Sequence, residues 1–153
     1  MANFYIQYAA SVTPVEELIG ADGTDKTRII HSNIDKSIGG GKEVTSGTAA
    51  TDVVYKDYTT TASYVLMSSG TILGSQSSID FMVVKIREAV DSDGDCDCLI
   101  QMTSGTEWVT VSKLVRVDDI CMLRLNAENM DDVKIKSNSG KTCKVDILIG
   151  KEA

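Results

Sequence analysis

Short runs of β-forming residues, separated by clusters of turn-forming residues, occupy the chain from about Val53 to its C-terminus. The runs are rich in Val, Ile, Thr and Tyr, and the clusters between them in Gly, Ser, Asn and Asp. Because no amphipathic helical pattern separates the runs, they favour an antiparallel β-sandwich such as a jelly roll over a parallel α/β sheet. We predict about eight strands: Val53–Thr59, Ala62–Ser68, Ile79–Glu88, Cys98–Thr103, Glu107–Lys113, Ile120–Leu125, Asp132–Lys136 and Cys143–Gly150.

The first fifty residues have a different pattern. One strand, Phe4–Ala9, and an apolar patch at Ile29-Ile30 are embedded in small and polar residues. The segment Thr13–Gly20 begins with a capping threonine and the chain's single proline and ends with a glycine, which predicts a helix of about two turns. We therefore predict a loop-rich N-terminal arm over residues 1–50 with one short helix, and an all-β, jelly-roll-like sandwich over residues 51–153.

The charge of the chain argues against two classes of partner. Its formal net charge is -7, and its fifteen Lys and Arg residues are scattered rather than clustered. Nucleic acid and anionic membrane surfaces both need concentrated positive charge, so we expect neither as a partner. No apolar run approaches the roughly 20 residues that span a bilayer. The N-terminus lacks the regions of a secretory signal, so we expect synthesis in the cytoplasm.

Cysteines and acidic residues are the candidate metal ligands. Cys96, Cys98, Cys121 and Cys143 do not have the spacing of a structural zinc site, and a cytoplasmic chain of this length favours free thiols over disulfides. The turn Asp91–Asp97 carries four carboxylates, and hard cations prefer oxygen ligands. Its spacing differs from an EF-hand, and we favour a solvated hairpin tip. We predict no metal site and leave cation binding by this turn open.

No set of residues predicts catalysis. Gly20–Thr27 approaches a phosphate-binding loop, but Asp25 stands where that loop needs its second glycine. His31 is the only histidine, and no nucleophile motif surrounds it. Adjacent acids such as Glu16-Glu17 are explained by solvation. We therefore predict a non-enzymatic protein without a cofactor.

Trp108 is the only tryptophan and has two interpretations. It could be a stacking platform for a sugar ring, or a buried residue of the core or of an interface. Aromatic residues make up only 5% of the chain, which is few for a carbohydrate-binding module. We favour burial in the core or at an interface.

The stretch from Ile79 to Ala153 contains the strand Asp80–Arg87 followed by an acidic turn, Thr103–Trp108, Lys113-Leu114 with Ile120–Leu125, Asp132–Ser137 and Val145–Gly150. In these features it resembles the small jelly-roll virion proteins of tailed bacteriophages, the capsid decoration or cement proteins and the related head-fibre bases. The likeness is one of pattern and covers about half of the chain.

This resemblance implies a virion structural protein that binds the major capsid protein on the capsid surface and stabilises the phage head. It also implies a symmetric oligomer, commonly a homotrimer, and no catalytic residues. We predict that Phe4, Tyr5 and Tyr8 of the arm contact a partner, because a partner can order such a segment.

Two other classes of function stay open. The alternative is a carbohydrate- or receptor-binding β-sandwich module, which a cluster of exposed aromatic residues around Trp108 would favour. An enzyme would need a pocket that gathers His31 or a pair of carboxylates with perturbed pKa values. The fold alone does not separate these classes, because β-sandwiches host many functions.

Overall fold

A computed structural model describes residues 4–10, 15–19, 26–30, 40–46, 52–90, 95–138 and 141–151. The chain divides into two compact units, residues 5–44, and residues 45–153 together with the first four. The described residues contain no α-helix, and none of their elements is a helix long and apolar enough to cross a membrane. The predicted all-β fold class is confirmed, whereas the predicted boundary at residue 50 stays a prediction.

The described residues of the N-terminal region form four strands: β1 (Phe4–Ala10), β2 (Val15–Ile19), β3 (Lys26–Ile30) and β4 (Gly40–Ser46). β1 and β4 form one two-stranded sheet. β2 and β3 pair in an antiparallel manner, with Val15 opposite Ile30 and Ile19 opposite Lys26. The sequence predicted only the first of these strands.

The predicted helix over Thr13–Gly20 is wrong, because Val15–Ile19 form strand β2. A helix of at most two turns makes too few hydrogen bonds to offset the cost of its nucleation. The strand, by contrast, is in register with β3 along all five of its residues. Thr13, Pro14 and Gly20 lie outside the described residues.

In the part of residues 52–151 that the structure describes, eight further strands form the sandwich, and each corresponds to a predicted one. β5 and β12 have the predicted bounds, while β6 is only two residues long. A 3-10 turn over Met130–Asp132 precedes β11. The strands are β5 (Val53–Thr59), β6 (Val65–Leu66), β7 (Ile79–Ala89), β8 (Asp95–Ser104), β9 (Glu107–Arg116), β10 (Ile120–Glu128), β11 (Val133–Lys136) and β12 (Cys143–Gly150).

These strands form two antiparallel sheets that pack against each other. The first sheet has the order β10–β7–β12–β5, and the second sheet has the order β6–β11–β8–β9. The pairs are nested along the chain, because β8 pairs with β9, β7 with β10, β6 with β11 and β5 with β12. One long hairpin is thus folded over so that successive pairs lie in different sheets. This is the jelly-roll arrangement that the sequence predicted.

The core lies between the two sheets and is built by alternation along the strands. On β12, Cys143, Val145, Ile147 and Ile149 are buried, and the residues between them are partly exposed. Neighbouring side chains of a strand point to opposite faces, so one face of each sheet is apolar. Fully burying a Val or Ile side chain contributes about 1.5–3 kcal/mol, which makes this layer the main source of stability.

Candidate functional site

Two lysines of β11 lie on the outer face of the second sheet. Val133 and Ile135 are fully buried in the core, and Lys134 and Lys136 alternate with them. The period of a strand therefore points both lysine side chains away from the core, on the same face and two residues apart. Both are half-buried, so their stems are partly covered while their ammonium groups approach other side chains.

The covering side chains are aromatic. The Nζ atom of Lys134 lies 3.8 Å from the ring centroid of Trp108 and 4.6 Å from that of Tyr64. The Nζ atom of Lys136 also lies 4.6 Å from the ring centroid of Tyr64. Each such cation–π contact contributes roughly 0.5–2 kcal/mol, depending on solvent exposure. We call these four residues the lysine–aromatic surface.

A β-bulge places Trp108 on this surface. Between Ile100 and Gln101 of β8, the paired positions on β9 move by two residues, so Val111 is an extra residue. Leu114 further along β9 is buried in the core. If inward and outward side chains alternated without interruption from Leu114, the side chain of Trp108 would point into the core. The bulge instead directs this side chain to the outer face of the sheet. The predicted burial of Trp108 in the core was therefore wrong, and its burial at an interface stays a prediction.

The charges of this surface are not neutralised by acids. Within the residues that the structure describes, no carboxylate forms an ion pair with Lys134 or Lys136. Other basic side chains differ, because Arg87 lies 3.3 Å from a carboxylate oxygen of Asp146, and Lys144 lies 2.8 Å from one of Glu88. The aromatic rings thus contact two lysines that form no ion pair with any described acidic residue.

Neutral polar groups lie in the same row of the sheet. Lys134 is paired with Gln101 on β8, and Gln101 is paired with Thr110 on β9. The side-chain Nε2 of Gln101 donates a hydrogen bond to Oγ1 of Thr110, at 3.0 Å. The surface therefore combines positive charge, aromatic rings, an amide and a hydroxyl. An ammonium group can pair with an anion, a ring can pack against another ring, and the amide and hydroxyl groups can form hydrogen bonds.

The predicted partner-contacting residues lie on β1. The backbones of Phe4, Tyr5 and Tyr8 all belong to this strand. The side chain of Tyr8 is half-buried, whereas those of Phe4 and Tyr5 are outside the described part. Their role in binding a partner stays a prediction.

Two of the four carboxylates of the acidic turn, those of Asp95 and Asp97, are described. Asp97 forms an ion pair with Lys113, at 2.9 Å, and accepts a hydrogen bond from Asn138, at 3.0 Å. These two interactions lower the pKa of Asp97. Asp95 forms an ion pair with Arg116, at 3.6 Å. In the described part of the chain, no group of three or more His, Cys, Asp or Glu side chains could hold a metal ion, and residues 91–94 lie outside that part.

The four cysteines are buried as free thiols. Cys98 of the second sheet and Cys143 of the first sheet interact across the core, and this hydrogen bond together with burial raises the pKa of Cys98. Burial also raises the pKa of Cys121. A thiol with a raised pKa is a poor nucleophile, so these residues act as apolar core groups.

The other predicted chemical candidates lie largely outside the described residues. His31 and residues 20–25 of the Gly20–Thr27 segment are not described, while Lys26 and Thr27 belong to β3. The interpretations of His31 and of the Gly20–Thr27 segment therefore stay predictions.

The sequence reasoning missed Tyr64, Lys134 and Lys136 as possible functional residues. The alternation Val133-Lys134-Ile135-Lys136 was a usable signal, because it places two lysines on the solvent face of a predicted strand. The approach of Tyr64 and Trp108 depends on strand order and on the bulge, which no local pattern reveals.

Comparison of the chain with protein-family models, with curated proteins and with solved structures found no match. The function of the protein must therefore be inferred from its fold and from the geometry of its surfaces.

Proposed function

We propose that the protein is a virion structural protein, a capsid decoration or cement protein that binds the major capsid protein and stabilises a bacteriophage head as a homotrimer. The observation that carries this proposal is the nested order of strands β5–β12, since eight-stranded jelly rolls are a recurrent architecture of viral capsid domains. The sequence resemblance to phage decoration proteins supports the same role. Jelly rolls also serve in other functions, so the proposal needs a test of assembly.

Exposed apolar side chains on β9 support an intersubunit surface. Val109 is 49% exposed and Val111 is 41% exposed. β9 is the last strand in the order of the second sheet, so its outer edge is available in the described part of the chain. An edge strand with exposed valines is a natural site of contact between copies, because it offers apolar area together with backbone hydrogen-bonding groups.

The test is the solution mass of the purified protein, measured by size-exclusion chromatography with light scattering. A trimer, followed by saturable binding to capsid shells, is the expected result. The variant Val109→Asp places a charge on the proposed contact and should yield monomers, whereas Val90→Asp, at a residue that is 51% exposed elsewhere, should not. A wild-type protein that stays monomeric at all concentrations would overturn the proposal.

The alternative function is a carbohydrate- or receptor-binding module. One observation favours it, namely that the rings of Tyr64 and Trp108 meet at Lys134 on the outer face of the second sheet. A cluster of exposed aromatic residues around Trp108 is the feature that we expected from the sequence for this function. Binding of this kind requires no trimer, so the mass measurement and a ligand titration test the two functions separately.

A further inference from the structure

We propose that the lysine–aromatic surface binds an acidic saccharide, a sugar ring that carries a carboxylate. The proposal rests on the binding-module alternative, names its ligand class, and does not depend on capsid binding. The carboxylate pairs with the ammonium groups of Lys134 and Lys136, and the sugar hydroxyls bond to the amide and hydroxyl groups of the neighbouring row.

The first argument is that the two cations are held in place before any ligand arrives. A free lysine side chain loses rotamer freedom when it binds an anion, and this loss weakens binding. Here Lys134 already contacts two rings and Lys136 contacts one of the same rings. Part of the ordering has therefore occurred in the unliganded protein, which favours binding through these ammonium groups.

The second argument is that the positive charges of Lys134 and Lys136 have no acidic partner among the described residues. Lys134 and Lys136 approach the same Tyr64 ring, at 4.6 Å each, and like charges in one neighbourhood repel. Among the described residues neither has a carboxylate partner, although the chain has 22 acidic residues and a net charge of -7. An anionic ligand would relieve this repulsion.

The third argument separates an acidic sugar from a neutral one. A neutral sugar binds an aromatic platform by stacking on an open ring face, but the ammonium of Lys134 lies over the Trp108 ring, at 3.8 Å from its centroid. A neutral sugar would have to displace this cation and lose the cation–π contact. A carboxylate can instead bind the ammonium while the contact with the ring persists.

The fourth argument selects a saccharide over macromolecular anions. Single-stranded nucleic acid needs a positively charged groove that follows several phosphates, and two lysines on an acidic protein do not form one. Lysine is depleted at protein–protein interfaces, which makes an acidic protein a poorer candidate. A sugar matches the small area of the surface, and Gln101 and Thr110 provide bonding groups for its hydroxyls.

The experiment uses the fluorescence of the full chain, because Trp108 is its only tryptophan and reports directly on the surface. Tetragalacturonate is titrated in low salt, and its methyl ester serves as the matched neutral ligand with the same ring. We expect a saturable change in Trp108 emission with tetragalacturonate and binding at least about tenfold weaker with the ester, because the ester cannot form the charge-assisted hydrogen bonds that a carboxylate forms with the lysines.

Three variants locate the binding site. Lys134→Gln and Lys136→Gln keep the approximate side-chain length and remove the charge, and each should weaken binding of tetragalacturonate by about fivefold to tenfold. Lys56→Gln is the matched control, because Lys56 is exposed on β5 and has no ion pair among the described residues, and it should leave binding unchanged. Circular dichroism and thermal unfolding verify that each variant is folded.

Four outcomes would overturn the proposal. The first three are equal binding of tetragalacturonate and its ester, absence of any saturable signal with either, and equal weakening by Lys56→Gln and Lys134→Gln. Tighter binding of an oligothymidylate than of tetragalacturonate would also overturn it and would assign the surface to nucleic acid. None of these outcomes depends on the oligomeric state, so failure here is distinct from failure of the virion role.

Discussion

The variant Thr60→Val tests the polar contact that joins the end of β5 to the start of β12. Thr60 is only 1% exposed. Its Oγ1 accepts a hydrogen bond from the backbone N–H of Cys143, at 3.1 Å, and donates to the carbonyl oxygen of the same residue, also at 3.1 Å. Valine has nearly the same shape but no hydroxyl, so the substitution removes these bonds without opening a cavity.

The expected loss can be worked from the bonds. Removing one partner of a buried polar group costs about 1–3 kcal/mol, because the remaining group loses its bond and stays away from water. The backbone N–H of Thr60 still donates to the carbonyl of Cys143, at 2.8 Å, so that oxygen keeps a partner. We therefore expect a decrease of about 1–3 kcal/mol in the free energy of unfolding, or roughly 2–10 °C in Tm for a domain of this size.

The assay is urea denaturation followed by circular dichroism at several protein concentrations, since oligomerisation alters apparent stability. Thr59→Val is the matched control at an exposed neighbouring position, and it should change stability by less than about 0.5 kcal/mol. The slope of the free energy of unfolding against urea concentration should be the same in the wild type and in both variants. Equal stability of Thr60→Val and Thr59→Val would refute the view that the hydroxyl of Thr60 supports the outermost strand pair.

Three further predictions concern the core, the thiols and the response to acid. Ile147→Ala should lower the free energy of unfolding by about 2–5 kcal/mol, because it opens a cavity between the sheets. Ile120→Ala, at a residue that is 54% exposed, should lower it by less than about 0.5 kcal/mol. Urea denaturation measures both losses, and similar losses would contradict the burial of Ile147. Ellman's reagent at neutral pH should label almost none of the cysteines in the folded protein and all four in urea, because all four are buried, and a hydrogen bond with Cys143 together with burial raises the pKa of Cys98. Rapid labelling of the folded chain would show that the thiols are accessible. Two backbone N–H groups at the end of β9 donate hydrogen bonds to the carboxylate of Asp119, and these bonds lower its pKa. The stability that the charged carboxylate provides is therefore present above about pH 4 and is lost as the pH falls through the lowered pKa. Asp119→Asn should therefore lose less stability than the wild type between about pH 4 and pH 2, and an equally steep loss in both proteins would exclude this role.

The sandwich could be predicted from the sequence because its strands carry their own pattern. On β12, buried and partly exposed residues alternate from Cys143 to Ile149, and the turn formers at Ser137-Asn138 precede this strand. Both signals are local, so the predicted bounds of the strand agree with the structure. The nested strand order follows less directly, since it depends on pairing between distant segments such as β5 and β12.

Features that depend on distant partners were not predicted. The segment Val15–Ile19 has a capping pattern at its ends, and only the pairing with β3 makes it a strand. The bulge at Val111 changes the face of Trp108, yet no glycine or proline marks it in the sequence. For this reason the sequence could name Trp108 as a candidate but could not show that Lys134 and Tyr64 lie beside it.

The salt dependence of binding provides a last test of how the surface recognises an anion. The chain carries a net charge of -7, so an acidic sugar approaches against a repulsive field, while Lys134 and Lys136 attract it only at short range. The Debye length falls from about 30 Å at 0.01 M salt to about 8 Å at 0.15 M, and this change screens the distant repulsion more than the direct contact. Added salt should therefore leave the association rate of tetragalacturonate unchanged or raise it, and should raise the dissociation rate by weakening the ion pairs. Stopped-flow measurement of Trp108 emission separates the two rates. A steep fall of the association rate with salt would mean that a larger positive surface attracts the ligand, which is incompatible with recognition by these two lysines alone.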